Sequence, residues 1–490
     1  MTEKRRSLLF FTNSEWGQAN VILATIHEFL ILDEFDIHLA SYSALEPRLH
    51  DLLETHAASY PRPLRPSITF HTIPGLSVAQ LCHRDGVANS LPHKPGLKGG
   101  VASYARLEDF FFRHTVDEYM EQQRYSKQVI TQTQPVLILA EQGFSPGLDA
   151  CMELNQPFTV LSPNSFKDFE QRFQPLLRIL WKYPALASAF PFPVPLGMVP
   201  ANVYLWVRMM TTIAVSASTR GSRLHTLNKG RHANGLEGPP PVMSALKKAS
   251  HILCPSLPEL DFPMLVRPTT IGCGPIVLPA RPVSEVDPEL DTWLGRSCMK
   301  TVLVNLGTHY STDSALALEV ARALKSALDT FPHVQILWKM IPQGEGQQEN
   351  IHTVFGDDLL RNSRIRIEKW LKPDPVALLE TGKVIAQVHH GGANTYFECC
   401  RFGVPQVILG AWWDTYEYAA RVEYLGIGVF ANKKAAPRAK TAELQKALLR
   451  AVSDDNMRAK ANDLAAVCKR YGEGRVRARD RIREFIGHVV

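Results

Sequence analysis

The chain has 490 residues, 45% of them hydrophobic, which is enough to bury a large core in two domains. Its net charge of +6 is spread among interspersed acids and bases, apart from short runs such as KGRH and GRVRARDRIR, and no aromatic-basic platform accompanies it, which argues against a nucleic-acid binder. The eight cysteines include no CxxC pair, so neither a zinc site nor a disulfide framework is expected, and buried thiols in a reducing compartment fit best.

The basic start MTEKRR is followed by only a short apolar run and then by polar TNSE, which reads as a first buried strand rather than a signal peptide. No uninterrupted apolar stretch approaches the length of a membrane span. Residues 7–14 read as a strand, 18–32 as an amphipathic helix, FDIHLAS as a strand, 47–55 as a helix and SITFHTIP as a strand. That alternation argues for a parallel sheet with crossover helices. Residues 81–100 read as a polar loop, VASYARLEDFFFRHTVDEYMEQQ as one long helix, and PVLILAE as a strand ending at Glu141. Ser145 and Pro146 then look like the N-cap and first residue of a helix. Residues 184–211 are apolar but broken by five prolines up to Pro200; only the tail NVYLWVRMMTTIAV could be helical. A polar connection precedes TVLVNLGT, the first strand of a second domain, and later strands VQILWKM and RIRIEKW follow, the latter ending at Trp370.

The most informative stretch runs from residue 384 to 429: VIAQV, the turn HHGG, the helical ANTYFECCRF, the stop GVP, the strand PQVILG and a second helix carrying Asp414. His390, Asn394 and Glu398 are four apart and share one helix face. Gly391 and Gly392 stand where the helix begins, so a ligand can reach the first backbone N–H groups. Such an end with a flanking His suits a diphosphate, and a carboxylate two turns on suits ribose hydroxyls.

HGG-x-N-T-x-x-E-x-x-x-x-GVP, with Asp414 nine residues past the proline, resembles the donor-site signature of the family 1 UDP-dependent glycosyltransferases, in a divergent fungal-like branch. The resemblance implies an α/β fold of GT-B architecture, two Rossmann-like domains facing across a cleft. The expected domains are 1–285 for the acceptor, a linker 286–300, 301–465 for the UDP-sugar, and a C-terminal helix 466–490 crossing back. It implies that His390 and its helix end hold the β-phosphate, Asn394 and Thr395 the α-phosphate, Glu398 the ribose and Asp414 the sugar hydroxyls. Thr308 belongs to the loop under the donor, and Trp370 is expected to stack on uracil. Thr415 stands where the family has Gln, Tyr418 where it has Asn, and Asp374 where a segment after the Trp has Gln.

The family's catalytic His falls on Gln18, which cannot act as a base near neutral pH, and its Asp partner falls on Glu141. Either Glu141 or Glu15 takes the proton with Gln18 orienting the acceptor, or another group such as His309 does, or the protein binds a nucleotide sugar without transferring it. The expected activity is O-glucosylation with inversion of a lipophilic phenolic or polyketide metabolite in cytoplasmic secondary metabolism, from UDP-glucose as co-substrate, with no cofactor, metal, nucleic acid or stable membrane insertion. The alternative is a non-catalytic pseudo-glycosyltransferase partner protein.

Overall fold

A computed structural model describes residues 5–60, 68–307, 312–342, 347–361 and 363–489. Two sheets form the framework. The first contains β1 (Ser7–Phe11), β2 (Asp36–Ser41), β3 (Ile68–Thr72), β4 (Leu137–Ala140), β5 (Phe158–Leu161), β6 (His251–Cys254) and β7 (Thr270–Gly272), in the order β3-β2-β1-β4-β5-β6-β7. The second contains β8 (Lys300–Asn305), β9 (Val334–Lys339), β10 (Ile365–Glu368), β11 (Val384–His389), β12 (Gln406–Ile408) and β13 (Gly428–Phe430), in the order β10-β9-β8-β11-β12-β13. Every pairing is parallel. Helices therefore cover both faces, and strands such as Ser7–Phe11 are buried throughout. In each sheet the strand order reverses once, at β1/β4 and at β8/β11. In open parallel sheets the crevice beyond the strand ends at that reversal is where ligands bind.

The helices that matter to the site are α1 (Trp16–Leu32), α2 (Gly96–Phe111), α3 (Val199–Ser218), α4 (Ala393–Phe402), α5 (Trp413–Leu425) and α6 (Gly474–Val489). Ala478, Ile482 and Ile486 of α6 are buried in the first domain's core beside Leu8 and Ile22, and Arg475 and Arg479 pair with Glu28 at 2.8 and 3.4 Å. The last helix thus ties the end of the chain to the first domain.

Several local expectations change. The long helix after residue 100 is two helices, because Thr115 caps Val116–Thr133 through a reciprocal box with Glu118 and ends the preceding run. Residues 81–100 are largely helical rather than a loop: Val78–Arg84 is capped by Ser77, and Val87–Ser90 and α2 follow. Ser145 is the first residue of the helix Ser145–Glu153 rather than its cap; its hydroxyl accepts from the Val242 N–H. The segment 286–300 is no bare linker: Leu290, Trp293 and Leu294 pack on Leu303, Leu337 and Leu378, and β8 already begins at Lys300. Its polarity is that of an amphipathic cover with one face buried. All eight cysteines are free, and only Cys298 is exposed. Among the described residues no helix is long and apolar enough to cross a membrane.

Candidate active site

The second domain's half of the cleft is built at the end of β11. His389 is fully buried; its Nδ1 accepts from the Gly391 N–H at 3.1 Å, which leaves Nε2–H to donate to the Gln406 side chain at 3.0 Å. Burial pushes its pKa down to about 3, so it stays neutral and fixes the turn. Gly391 has φ 93°, and an added Cβ would meet Ile408 and the Thr415 carbonyl at 2.9 Å, so glycine is required there. The chain then swings His390 into the cleft. Its ring tilts against Trp412 at 5.5 Å and lies in a slot between Gly307 and Gly392, where a Cβ would come within 2.8 and 2.7 Å of it. α4 starts at once, with Gly392 as N-cap and no side chain capping it. The leading N–H groups of α4 are therefore left for an anion at the positive end of the helix dipole.

His390, Gly392, Asn394, Thr395, Glu398 and Asp414 all line one cavity of about 620 Å³. Burial, with Asp374 nearby, raises the Glu398 carboxyl to about 8. Burial, with Asp168 nearby, raises Asp414 to about 7. Both are poised to give or take hydrogen bonds with hydroxyls. Trp370 also lines the cavity and is 46% exposed, but Lys339 Nζ lies 3.9 Å from its ring centroid and Trp16 meets it edge-on at 5.6 Å. A base stacking on Trp370 must take the other face or displace that ammonium.

Three of the expected donor residues need correction or qualification. Thr415 does not face the cavity: its hydroxyl accepts from the Ala411 and Trp412 N–H groups at 3.0 and 3.1 Å, donates to the Trp412 carbonyl, and is fully buried. It shapes the turn before α5 instead. Gly391 likewise serves the turn, not the cavity wall. Thr308, with His309, lies outside the described residues.

The first domain supplies the other wall. Glu141 follows β4 and is almost fully buried; it accepts from Asn13 Nδ2 at 2.6 Å and from the Gly143 N–H at 2.7 Å. Burial raises its pKa to about 7 against the pull of those two donors. Asn13 was absent from the sequence-based candidates. The signal for it is register: Phe11 pairs with Ala140, so two residues beyond the strand end Asn13 stands beside Glu141. Asn13 thus orients the Glu141 carboxylate, a role distinct from the acceptor-orienting one expected of Gln18. Gln18 lines the same cavity, but its side chain makes no hydrogen bond among the described residues. Glu15 lines it too and accepts from Ser77 Oγ; burial raises its pKa. Beyond Glu141 the wall turns apolar, with Leu107, Phe110, Phe111, Leu186, Val242 and Trp413.

The two halves are stitched together. Asn394 Nδ2 donates to the Trp16 carbonyl at 3.3 Å, and Arg48 pairs with Asp374 at 2.5 Å. His93, between the sheets, donates its N–H to the Ala411 carbonyl at 2.9 Å and accepts from the Trp413 N–H at 3.1 Å. Among the described residues no group of three His, Cys, Asp or Glu side chains is arranged to hold a metal ion.

Comparison with known proteins bears on the family and the fold. Residues 363–469 match the family described as "Erythromycin biosynthesis protein CIII-like, C-terminal domain". Over 446 residues the chain is 35% identical to "Glycosyltransferase sdnJ" of Sordaria araneosa, covering 89% of this chain and 85% of that protein. It is 26% identical to human 2-hydroxyacylsphingosine 1-beta-galactosyltransferase over 219 residues, 44% of this chain and 36% of that one. Among solved structures, a UDP-glucosyltransferase from Polygonum tinctorium superposes with a TM-score of 0.63 at 13% identity, covering 99% of this chain and 100% of that one.

Proposed function

This chain belongs to the family 1 UDP-glycosyltransferases, with their GT-B architecture of two facing Rossmann-like domains, and on that premise we propose that it transfers a hexose from a UDP-sugar to a hydroxyl of a lipophilic small molecule. The proposed donor is UDP-glucose, and the proposed acceptor a phenolic or polyketide metabolite of secondary metabolism. The observation that carries this reading is the single cavity that brings Glu141 from one domain opposite His390, Asn394, Glu398 and Asp414 from the other. Its apolar end, with Phe110, Phe111 and Leu186, suits a hydrophobic acceptor.

In this reading the acceptor hydroxyl attacks the anomeric carbon from the first-domain side and gives its proton to Glu141. The new C–O bond forms as the bond to the β-phosphate oxygen breaks on the opposite face, which inverts the centre. The electron pair leaves on UDP, where the uncapped N–H groups of α4 and His390 stabilise the developing charge. Glu398 holds the ribose, Asp414 the sugar hydroxyls, and Asn394 and Thr395 the α-phosphate. A phenol, with a pKa of about 10, is within reach of a carboxylate base in a way that an aliphatic alcohol is not.

UDP release from UDP-glucose, UDP-galactose and UDP-N-acetylglucosamine with a panel of phenols tests the proposal. Acceptor-dependent release is expected, fastest with UDP-glucose. UDP binding without release from any donor would instead identify a non-catalytic partner protein, which the Gln at position 18 would then explain.

A further inference from the structure

The apolar residues behind the acceptor wall extend to the protein surface. Leu205 and Trp206 of α3 are buried against Tyr104, Leu107 and Phe110, so the inner face of α3 backs the cavity wall. Its outer face is exposed at Tyr204, Val207 and Met210, and Arg208 stands among them. The short helix Arg178–Trp181 packs on α3, and the turn Leu196–Met198 leads into it. These neighbours add Leu176 at 77% exposure, Leu177 at 68%, Leu196 at 90% and the half-exposed ring of Trp181.

Two observations separate this surface from ordinary scattered apolar exposure. Leu176 and Leu177 both have left-handed backbone conformations, φ 56° and 51°, which L-residues adopt at a cost, and Trp181 Nε1 donates to the Leu176 carbonyl at 3.0 Å to hold the bend. The fold thus spends local strain to project two leucines outward. The charge is one-sided as well. From residue 171 to residue 222 the chain carries Arg172, Arg178, Lys182, Arg208 and Arg220 but no Asp or Glu. The nearest acids on α2 are already engaged, Glu108 with Ser216 and the Arg223 N–H, and Asp109 with Arg223.

We propose that this face is a docking surface for an anionic lipid bilayer, onto which the protein adsorbs by inserting Leu176, Leu177 and Leu196 while Arg178, Lys182 and Arg208 meet the headgroups. Shallow apolar insertion and basic residues together give reversible binding where either alone gives little. Adsorption there sets the outer face of the acceptor wall against the membrane, where a lipophilic molecule accumulates. The adsorption itself does not depend on sugar transfer.

Vesicle flotation of the full chain tests it. Wild type is expected to float with vesicles of equal phosphatidylcholine and phosphatidylserine, to float less with phosphatidylcholine alone, and to be partly released by high salt. The triple variant Leu176→Ser, Leu177→Ser, Leu196→Ser should lower the floated fraction by at least about tenfold, given the transfer free energy of leucine. Arg178→Glu with Arg208→Glu should abolish the preference for phosphatidylserine. A circular-dichroism spectrum and Tm equal to wild type in each variant show that it is folded. Wild type that stays in the soluble fraction with both vesicle types overturns the proposal. So does a triple variant that floats like wild type. A wild-type dimer in sedimentation, lost in the triple variant and unaccompanied by flotation, would show that a second copy covers the face.

Discussion

Glu141 combines burial, which raises its pKa to about 7, with two donors that favour its charged form. If it is the base, the rate follows its ionised fraction. kcat/KM should be level above about pH 7 and fall as the pH drops below it, because protonation removes the acceptor of the proton. Asn13→Ala deletes a bond to the carboxylate, so the inflection should move to higher pH; an inflection that stays in place would remove Asn13 from the account. Thr415 carries the opposite lesson. Its place after the Asp suggests a sugar contact, but its hydroxyl is consumed by the turn around residues 411–412. Thr415→Val should leave the ratio of rates with different UDP-sugars unchanged and lower stability by about 1–2 kcal/mol for the lost capping bonds. A changed donor ratio in a variant of wild-type stability would return Thr415 to the sugar site. That His390, Asn394 and Glu398 share one cavity wall was legible because fixed spacings on one turn and one helix hold them. Asn13 was not, since its meaning arises only when β1 and β4 lie in register.

At the level of elements, the proposed donor site is the junction of β11 and α4, and the neutral His389 beneath it braces the turn. Positive potential comes from the uncapped helix end. Activity is therefore expected to survive excess EDTA; recovery of lost activity on adding manganese or magnesium would contradict this. Glu398→Ala should weaken UDP binding by about 1–3 kcal/mol in calorimetry, the cost of ribose hydroxyls left without their acceptor. Unchanged affinity would place the ribose elsewhere. Element types in the parallel sheets were readable from alternation and apolar runs. The break between residues 111 and 116 was masked by helical periodicity on both sides, and the cover formed by residues 283–294 by its polar outer face.

For the whole molecule, the cleft depends on buried polar contacts between distant parts of the chain. Lys167 and Glu417 form an ion pair with both side chains buried, and beside them Arg421 meets Asp261 at 3.1 Å and donates to Ser165 at 2.8 Å. Leu257 and Leu260 join Tyr396 and Phe397 in one apolar cluster next to it. Lys167→Met leaves Glu417 buried without its cation and should cost about 3–5 kcal/mol, seen as a lower Tm, whereas adding Glu417→Leu should recover most of it. A single variant as stable as wild type would show that the pair does not hold the domains. Parallel strands with crossover helices were visible in the chain's alternation, and the pairing of two such domains in the family resemblance. These contacts were not, because residues more than 150 positions apart carry no local signal of their meeting.

The most direct test of the account compares wild type with Glu141→Gln, measuring acceptor-dependent UDP release from UDP-glucose with an acidic phenol and UDP affinity by calorimetry. The account predicts a fall in kcat of about 10²–10⁴ with UDP affinity unchanged. Near-full turnover by Glu141→Gln would contradict it and pass the role of base to Glu15 or to the acceptor's own ionisation.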